Sequence, residues 1–244
     1  MRELTLRQKS YFAQAARCLD AAAEASLASE TPVVTVLAEK HGVDAEALAA
    51  WLDFLGIGVA GNVPLGTPIE RKIESASGYD FIKGWVGDDA LSVVANSSDQ
   101  HVRIPGNMKP HSVAVHPTPT LSVAVGWRSP ITGVVSISGN VQHAHPECGN
   151  GVAWSVELRR GTTRQRLAAG TSQGATLISV GPLDPLAIRK GDVVALVISP
   201  RDGNHSCDLT AIDLTLSDGT HEWSLSRDVS PNILAGNPHS GIWH

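Results

Sequence analysis

From about residue 78 to about residue 228, short runs of Val, Ile, Leu and Thr alternate with turns of Gly, Asn, Asp and Pro, at intervals of roughly 8 to 15 residues. Helix signals are almost absent there. Side chains along a strand alternate faces, so a run with every second residue apolar buries one face and leaves the other to solvent. Leu121, Val123, Val125 and Trp127 share one phase; so do Val135, Ile137, Gly139 and Val141, then Val152, Trp154, Val156 and Leu158, then Ile212, Leu214 and Leu216. The run 193–198 is apolar in both phases and reads as a central strand. The fold class expected is mainly β: an antiparallel jelly-roll-like β-sandwich over 78–228.

A different period governs the first 56 residues, which read as a three-helix segment. Thr5 and Gln8 form a capping box, and Tyr11, Phe12, Ala15, Ala16, Leu19, Ala22 and Ala23 follow at helical spacing, predicting a helix that ends near Ala28. Thr31 and Pro32 open a second helix over 32–41, with Gly42 as its left-handed stop. Asp44 caps a third, carrying Leu48, Trp51, Leu52 and Leu55. Residues 57–77, where Pro64 and Pro68 bar a helix, read as a linker, and 229–244 as a C-terminal tail.

Charge narrows the partners. A net charge of -5 opposes a large phosphate-binding surface, because duplexes are held mainly by Lys and Arg. The segment around residues 36–57 has helix-turn-helix spacing, yet Asp44, Glu46 and Asp53 would be repelled by a nucleic-acid backbone, so a packed helical hairpin is expected and no nucleic acid. No apolar run approaches the ~18 residues of a membrane span, so no membrane partner is expected. The opening MRELTLRQKS lacks the apolar core of a signal peptide.

Two glycine patterns mimic catalytic loops. Gly56, Gly58 and Gly61 spell GxGxxG, but follow a helix and run into Pro64, whereas a dinucleotide loop leaves a strand and opens a helix. Gly170, Ser172 and Gly174 spell GxSxG, but join two apolar runs as a hairpin turn does, with no helix to complete a nucleophile elbow.

The chemically dense stretches are HAHPECGNG (143–151) and RDGNHSCD (201–208). His143 and His145 continue the inward phase of Val135 to Val141, with Glu147 two residues on, a spacing that suits a metal at the mouth of the sandwich. The ligand-binding set is read as His143, His145, Glu147, Asn150, Asp202, Asn204, His205 and Asp208. Imidazole with carboxylate suits zinc, at His143, His145 and Glu147; Asp202, Asn204 and Asp208 alone suit calcium. The competing account is a hydrogen-bonded network that orders two turns and holds neither ion. Cys148 and Cys207 each sit in a Gly/Asn turn beside a strand, while Cys18 lies in the first helix. One bridge, Cys148–Cys207, and one buried thiol is the natural division, in an oxidising compartment.

Six tryptophans among few aromatics invite a carbohydrate-binding reading. Phase places Trp127, Trp154 and Trp223 in the core and leaves Trp85 and Trp243 as candidates for a sugar platform. Ser136, Ser138, Asn140 and Gln142 form a polar ladder on the face opposite Val135 to Val141, suited either to a hydroxyl-rich chain or to water.

The stretches HSVAVHPTPTLSVAVGWRSPITGVVSISGNVQHAHPECGNGVAWSVELRRG, GNHSCDLTAIDLTL and WSLSRDVSPNILAGNPHSGIWH resemble an interior region of the large exported proteins that carry a planctomycete cytochrome C domain. The resemblance covers most of residues 1–243, with the CGNG and NHSCD loops its most specific pieces, and GNPHSGIWH is shorter than the corresponding family segment. It implies an extracytoplasmic piece of a longer protein, periplasmic or at the cell surface. No haem carries over, because no pair of cysteines has CxxCH spacing. Together these features give a noncatalytic module that binds polysaccharide or neighbouring domains of a parent protein. The alternatives are a metal-dependent enzyme acting on a glycan or ester and a purely structural spacer.

Overall fold

The computed structural model describes residues 12–28, 33–55, 57, 68–160, 163–235 and 241–244. Two compact units divide the chain: one holds residues up to 66 together with 157–167, the other 67–156 and 168–244.

Among the described residues the first unit contains three helices, α1 (Ala15–Leu27), α2 (Val34–His41) and α3 (Ala45–Leu55). Cys18, Ala21, Ala22 and Ala25 form the buried stripe of α1 and meet Leu37 and Ala38 of α2 and Ala47, Leu48 and Leu52 of α3. Trp51 and Leu55 pack against that cluster. The buried face of α1 agrees only in part with the one read in the sequence: Cys18 and Ala22 are buried as expected, but Phe12 is 72% exposed and Leu19 44%. Small side chains explain the choice, since alanines and a cysteine at i, i+3, i+4 and i+7 allow close approach of two helices. Gly42 stops α2 at φ 60, its N–H bonded to the carbonyls of Ala38 and Glu39, as expected. Asp44 caps α3 through Oδ1, which accepts from Ala47 N at 2.9 Å. The Thr5–Gln8 capping box, Tyr11, Thr31 with Pro32, and the GxGxxG glycines Gly56, Gly58 and Gly61 lie outside the described residues.

The second unit is an antiparallel β-sandwich. Its strands are β1 (Arg71–Ile73), β2 (Ile82–Val86), β3 (Ser92–Asn96), β4 (Val102–Arg103), β5 (Asn107–Met108), β6 (Ser112–His116), β7 (Val123–Arg128) and β8 (Gly133–His143). There follow β9 (Val152–Arg160), β10 (Thr163–Ser172), β11 (Ile178–Ile188), β12 (Val193–Pro200), β13 (Thr210–Ser217) and β14 (Glu222–Ser224), then the short helix α4 (Leu225–Val229). One sheet runs β1-β2-β3-β6-β13-β8-β11, with β14 also on β13; a second runs β10-β9-β12-β7; and β4 pairs with β5 in a small two-stranded sheet. The far end of the β9–β10 hairpin belongs to the first unit.

The period of two is visible along β13, where Thr210, Ile212, Leu214 and Leu216 are buried and their neighbours half-buried. It recurs in β8 at Val135, Ile137, Val141 and His143, and in β9 at Val152, Trp154, Val156 and Leu158. The doubly apolar run 193–198 is β12, flanked on both edges as expected. Leu121 departs from its predicted phase: β7 starts only at Val123, and Leu121 is 48% exposed.

Two segments read as unstructured belong to the sheets. β1, inside the expected linker, pairs with β2 through Arg71↔Val86 and Ile73↔Gly84. The chain end pairs with β7: His244 and Gly126 exchange N–H···O bonds at 2.9 and 2.6 Å, and Arg128 N reaches Ile242 O at 2.7 Å. Both are edge additions made by backbone groups, which need no apolar pattern. No helix among the described residues is long and apolar enough to cross a membrane.

Candidate functional site

The two dense loops meet. His143, the last residue of β8, stands opposite Thr210 at the start of β13, and Cys148 is bonded to Cys207 with their Cα atoms 5.8 Å apart. Gly149 and Gly151 adopt φ of 78 and 74. A Cβ on Gly149 would collide with the carbonyl of Ser206, and one on Gly151 with that of Ser172, so the CGNG glycines are what let the loops lie backbone to backbone.

Inside this junction most polar atoms serve the protein itself. His143 is 2% exposed, and its Nε2 lies 2.7 Å from the carbonyl of Cys207. A carbonyl only accepts, so Nε2 carries the proton. Asn150 and Arg201 clasp each other: Asn150 Nδ2 donates to Arg201 O at 2.8 Å, and Arg201 Nη1 donates to Asn150 O at 2.7 Å. Asn204 Oδ1 accepts from Ser206 N at 3.0 Å, closing its own turn. His205 turns edge-on toward His116, their ring centroids 5.9 Å apart. Burial pushes the His116 imidazole below its ordinary value.

Beside His143 Nδ1, His145 Nδ1 and Asn150 Oδ1, which also lack a hydrogen-bond partner among the described residues, Asp208 is the largest exception. Asp208 is 0% exposed, and neither carboxylate oxygen has a hydrogen-bond partner among the described residues. Burial raises its pKa to about 6, opposed by the charge of Arg201. The inward phase of Asp208 and Thr210 was legible from β13, whereas the lack of a partner was not.

The metal sets read in the sequence are not gathered. His143 Nε2 is committed to Cys207 O, and Glu147 is exposed, with Oε1 accepting from Arg103 Nη1 at 3.0 Å. Asp202 and Asn204 face solvent while Asp208 is buried, so the three do not form an oxygen cage. Among the described residues the one close group of three ligand types is His145, Cys148 and Cys207. Ser172 of the GxSxG pattern ends β10 and is followed by a turn and β11. Its Oγ accepts from His143 N at 3.3 Å, and it is no nucleophile elbow.

The tryptophans are spent on packing and anchoring. Trp127 and Trp154 are buried, and Trp223 lies 5.0 Å from Trp127, centroid to centroid. Trp85 is buried too, donating from Nε1 to Ile233 O at 3.1 Å, and Trp243 Nε1 donates to Asp228 Oδ2 at 3.1 Å. Neither is a bare platform. The polar ladder is partly used as well, for Gln142 accepts from Lys109 and donates to Ala175 O.

A cleft of about 420 Å³ lies elsewhere, at the β2–β3 end of the larger sheet. Lys83 and Ala95, opposite each other in register, form its floor with Phe81 and Ser97. The chain after α4, residues 230–233, forms its wall, tied down by the bond from Trp85 to Ile233. Asp80, Lys83 and Asn232 line this cleft, and none makes a side-chain hydrogen bond or ion pair among the described residues. Ser230, 1% exposed, has an Oγ without a partner among the described residues. The sequence offered one pointer: Trp85, whose place alternation did not fix, anchors the wall.

No protein-family model and no curated protein matches the chain. Among solved structures it is similar to the carbohydrate-binding module TmCBM61 in complex with β-1,4-galactotriose: TM-score 0.33, 14% identity, 56% of this chain and 86% of that one. A second is CBM51 from Clostridium perfringens GH95 in complex with methyl-galactose: TM-score 0.30, 12% identity, coverage 60% and 87%. A third comprises the cysteine protease and lectin-like domains of Cwp84, a surface layer associated protein of Clostridium difficile: TM-score 0.29, 10% identity, coverage 65% and 47%. At these TM-scores the sandwich and its site stand on this chain's own strands and side chains.

Proposed function

We propose that this chain is a noncatalytic β-sandwich module that binds a neutral, hydroxyl-rich ligand, a glycan segment, in the cleft between β2–β3 and residues 230–233. The observation that carries this is the set of uncommitted polar groups there: Asp80 accepts, Lys83 donates, and Asn232 does both. A sugar hydroxyl both donates and accepts, so one saccharide can satisfy all three. One carboxylate and one ammonium leave the lining without net charge, which disfavours an anionic ligand. Phe81 adds apolar surface for the C–H face of a ring. The volume lies in the range of small-ligand sites. Binding rather than hydrolysis is favoured because the cleft is lined by one carboxylate, Asp80, where glycoside hydrolysis ordinarily uses a facing pair. The disulfide suits an oxidising compartment, in keeping with service as part of a larger exported protein.

The test is an NMR titration with soluble neutral oligosaccharides, alongside retention on insoluble polysaccharides. Saturable amide shifts clustered at residues 80–83, 97 and 230–233, lost in Lys83→Ala and Asn232→Ala, are expected. Shifts clustered instead at 143–151 and 201–208 would move the site to the loop junction. A chain that retains no glycan and no protein partner would be a spacer.

A further inference from the structure

We infer that the Cys148–Cys207 junction is a redox-gated site for a thiophilic metal ion such as zinc, with His145 as third ligand and the disulfide as the locked, metal-free state. The donor atoms of His145, Cys148 and Cys207 all lie within 4.8 Å of one another. A tetrahedral zinc with bonds of about 2.0–2.3 Å holds its donors roughly 3.3–3.8 Å apart; the two sulfurs are bonded to each other in the disulfide and reach that spacing only once reduction lets them part, with His145 already beside them. His145 has a donor atom to give: Nδ1 is buried and has no hydrogen-bond partner among the described residues. Its other nitrogen, Nε2, lies 3.9 Å from Glu147 Oε2, beyond hydrogen-bond length, so a side-chain shift of about 1 Å would bring the carboxylate to orient a metal-bound imidazole. The backbone also favours persistence of the pair after reduction. Asn150 and Arg201 clasp the loops through bonds of 2.8 and 2.7 Å, and His143 holds Cys207 O at 2.7 Å, none of which involves sulfur. A fourth position is left for water or a ligand from outside.

The chemistry balances with an external two-electron reductant. A phosphine takes the oxygen of one water to become its oxide, the S–S bond breaks, and both sulfurs leave as thiols. Zinc then displaces the two thiol protons to solvent and accepts the neutral imidazole lone pair. While the sulfurs are bonded to each other they have no thiolate charge to offer, so oxidation expels the ion.

The experiment uses the whole chain carrying Cys18→Ala, which removes the remaining thiol at a position lined by alanines. Oxidised and phosphine-reduced samples are titrated with cobalt or zinc, read by thiolate-to-cobalt charge-transfer absorption and native mass spectrometry, with circular dichroism in parallel. The reduced chain is expected to take up one ion and the oxidised chain none, and His145→Ala should weaken uptake at least 10-fold. If reduction unfolds the chain, zinc should restore its dichroism. Four results would overturn the inference: no uptake after reduction, equal uptake by the oxidised chain, uptake indifferent to His145, or an unfolded reduced chain that zinc fails to rescue.

Discussion

The loop junction and the cleft are both polar, yet they spend their polarity in opposite ways. At the junction, His143, Asn150, Arg201 and Asn204 are bonded to loop backbone, and a disulfide closes the arrangement. In the cleft, Asp80, Lys83 and Asn232 have no partner among the described residues. A buried polar group must be satisfied from within, because leaving it bare costs about 1–3 kcal/mol. A group at a cleft surface is satisfied by water and gives that water up to a ligand at little cost. Density of histidine, cysteine and carboxylate therefore marks where the fold is fastened, while uncommitted groups mark where something else can be held.

The sharpest way to break this contrast is to open the fastening. Replacing Cys148 and Cys207 together by Ala frees a loop closed across a separation of 59 residues, and the chain-entropy model sets the loss at about 4 kcal/mol. Urea unfolding should show it as a lower midpoint with glycan affinity of the remaining folded protein unchanged. A loss of affinity matching the loss of stability would mean that junction and cleft are one site.

Next in size is the carboxylate the junction does not satisfy. The pKa of Asp208 is raised to about 6 in the folded chain, against about 3.9 when unfolded, so the native state holds the extra proton between these values. Stability should fall as pH rises from about 4 to about 6 and stay low above, by an amount on the order of 2–3 kcal/mol. Asp208→Asn should remove that slope and raise the melting temperature at neutral pH. An Asn variant less stable than the parent at pH 7 would show that the carboxylate has a partner. Asp218 behaves in the opposite sense: N–H groups of His221 and then Thr220 hold it down at about 2, so its contribution is present above about 4 and is lost as pH falls toward 2.

How far the sequence revealed this depends on whether the signal was local. Strand phases along Ile212, Leu214 and Leu216 could be read because a period of two needs only neighbours, and the same phase put Asp208 and Thr210 inside. The α1 face is legible only in part: Cys18 and Ala22 are inside as expected, but bulk points to Phe12 and Leu19, where close helix packing selects Ala21 and Ala25. β1 is made of Arg71, Lys72 and Ile73, and its pairing through backbone alone leaves no pattern. The cleft was invisible for another reason: residues 80–97 and 230–233 meet only after the sheet is assembled.

A smaller effect tests whether His143 fastens or binds. His143→Ala deletes the bond to Cys207 O and leaves that carbonyl bare, for an expected loss of about 1–3 kcal/mol with no change in glycan affinity. Affinity lost at constant stability would return His143 to the binding surface.

The smallest stability change is expected in the cleft. Lys83→Ala and Asn232→Ala remove groups without protein partners, so unfolding midpoints should move by no more than about 0.5 kcal/mol. Saccharide affinity should nonetheless drop by about 10-fold per variant, near 1.4 kcal/mol for one lost polar contact. The effects should add, since Lys83 stands on the floor and Asn232 on the wall and the two side chains do not bond each other. Measured by titration and by urea in parallel, the pair separates the two uses of polarity: junction variants change folding and spare binding, and cleft variants do the reverse. If Lys83→Ala destabilises the sandwich by more than about 1 kcal/mol, its ammonium is already committed to the fold and the cleft loses its claim to be a site.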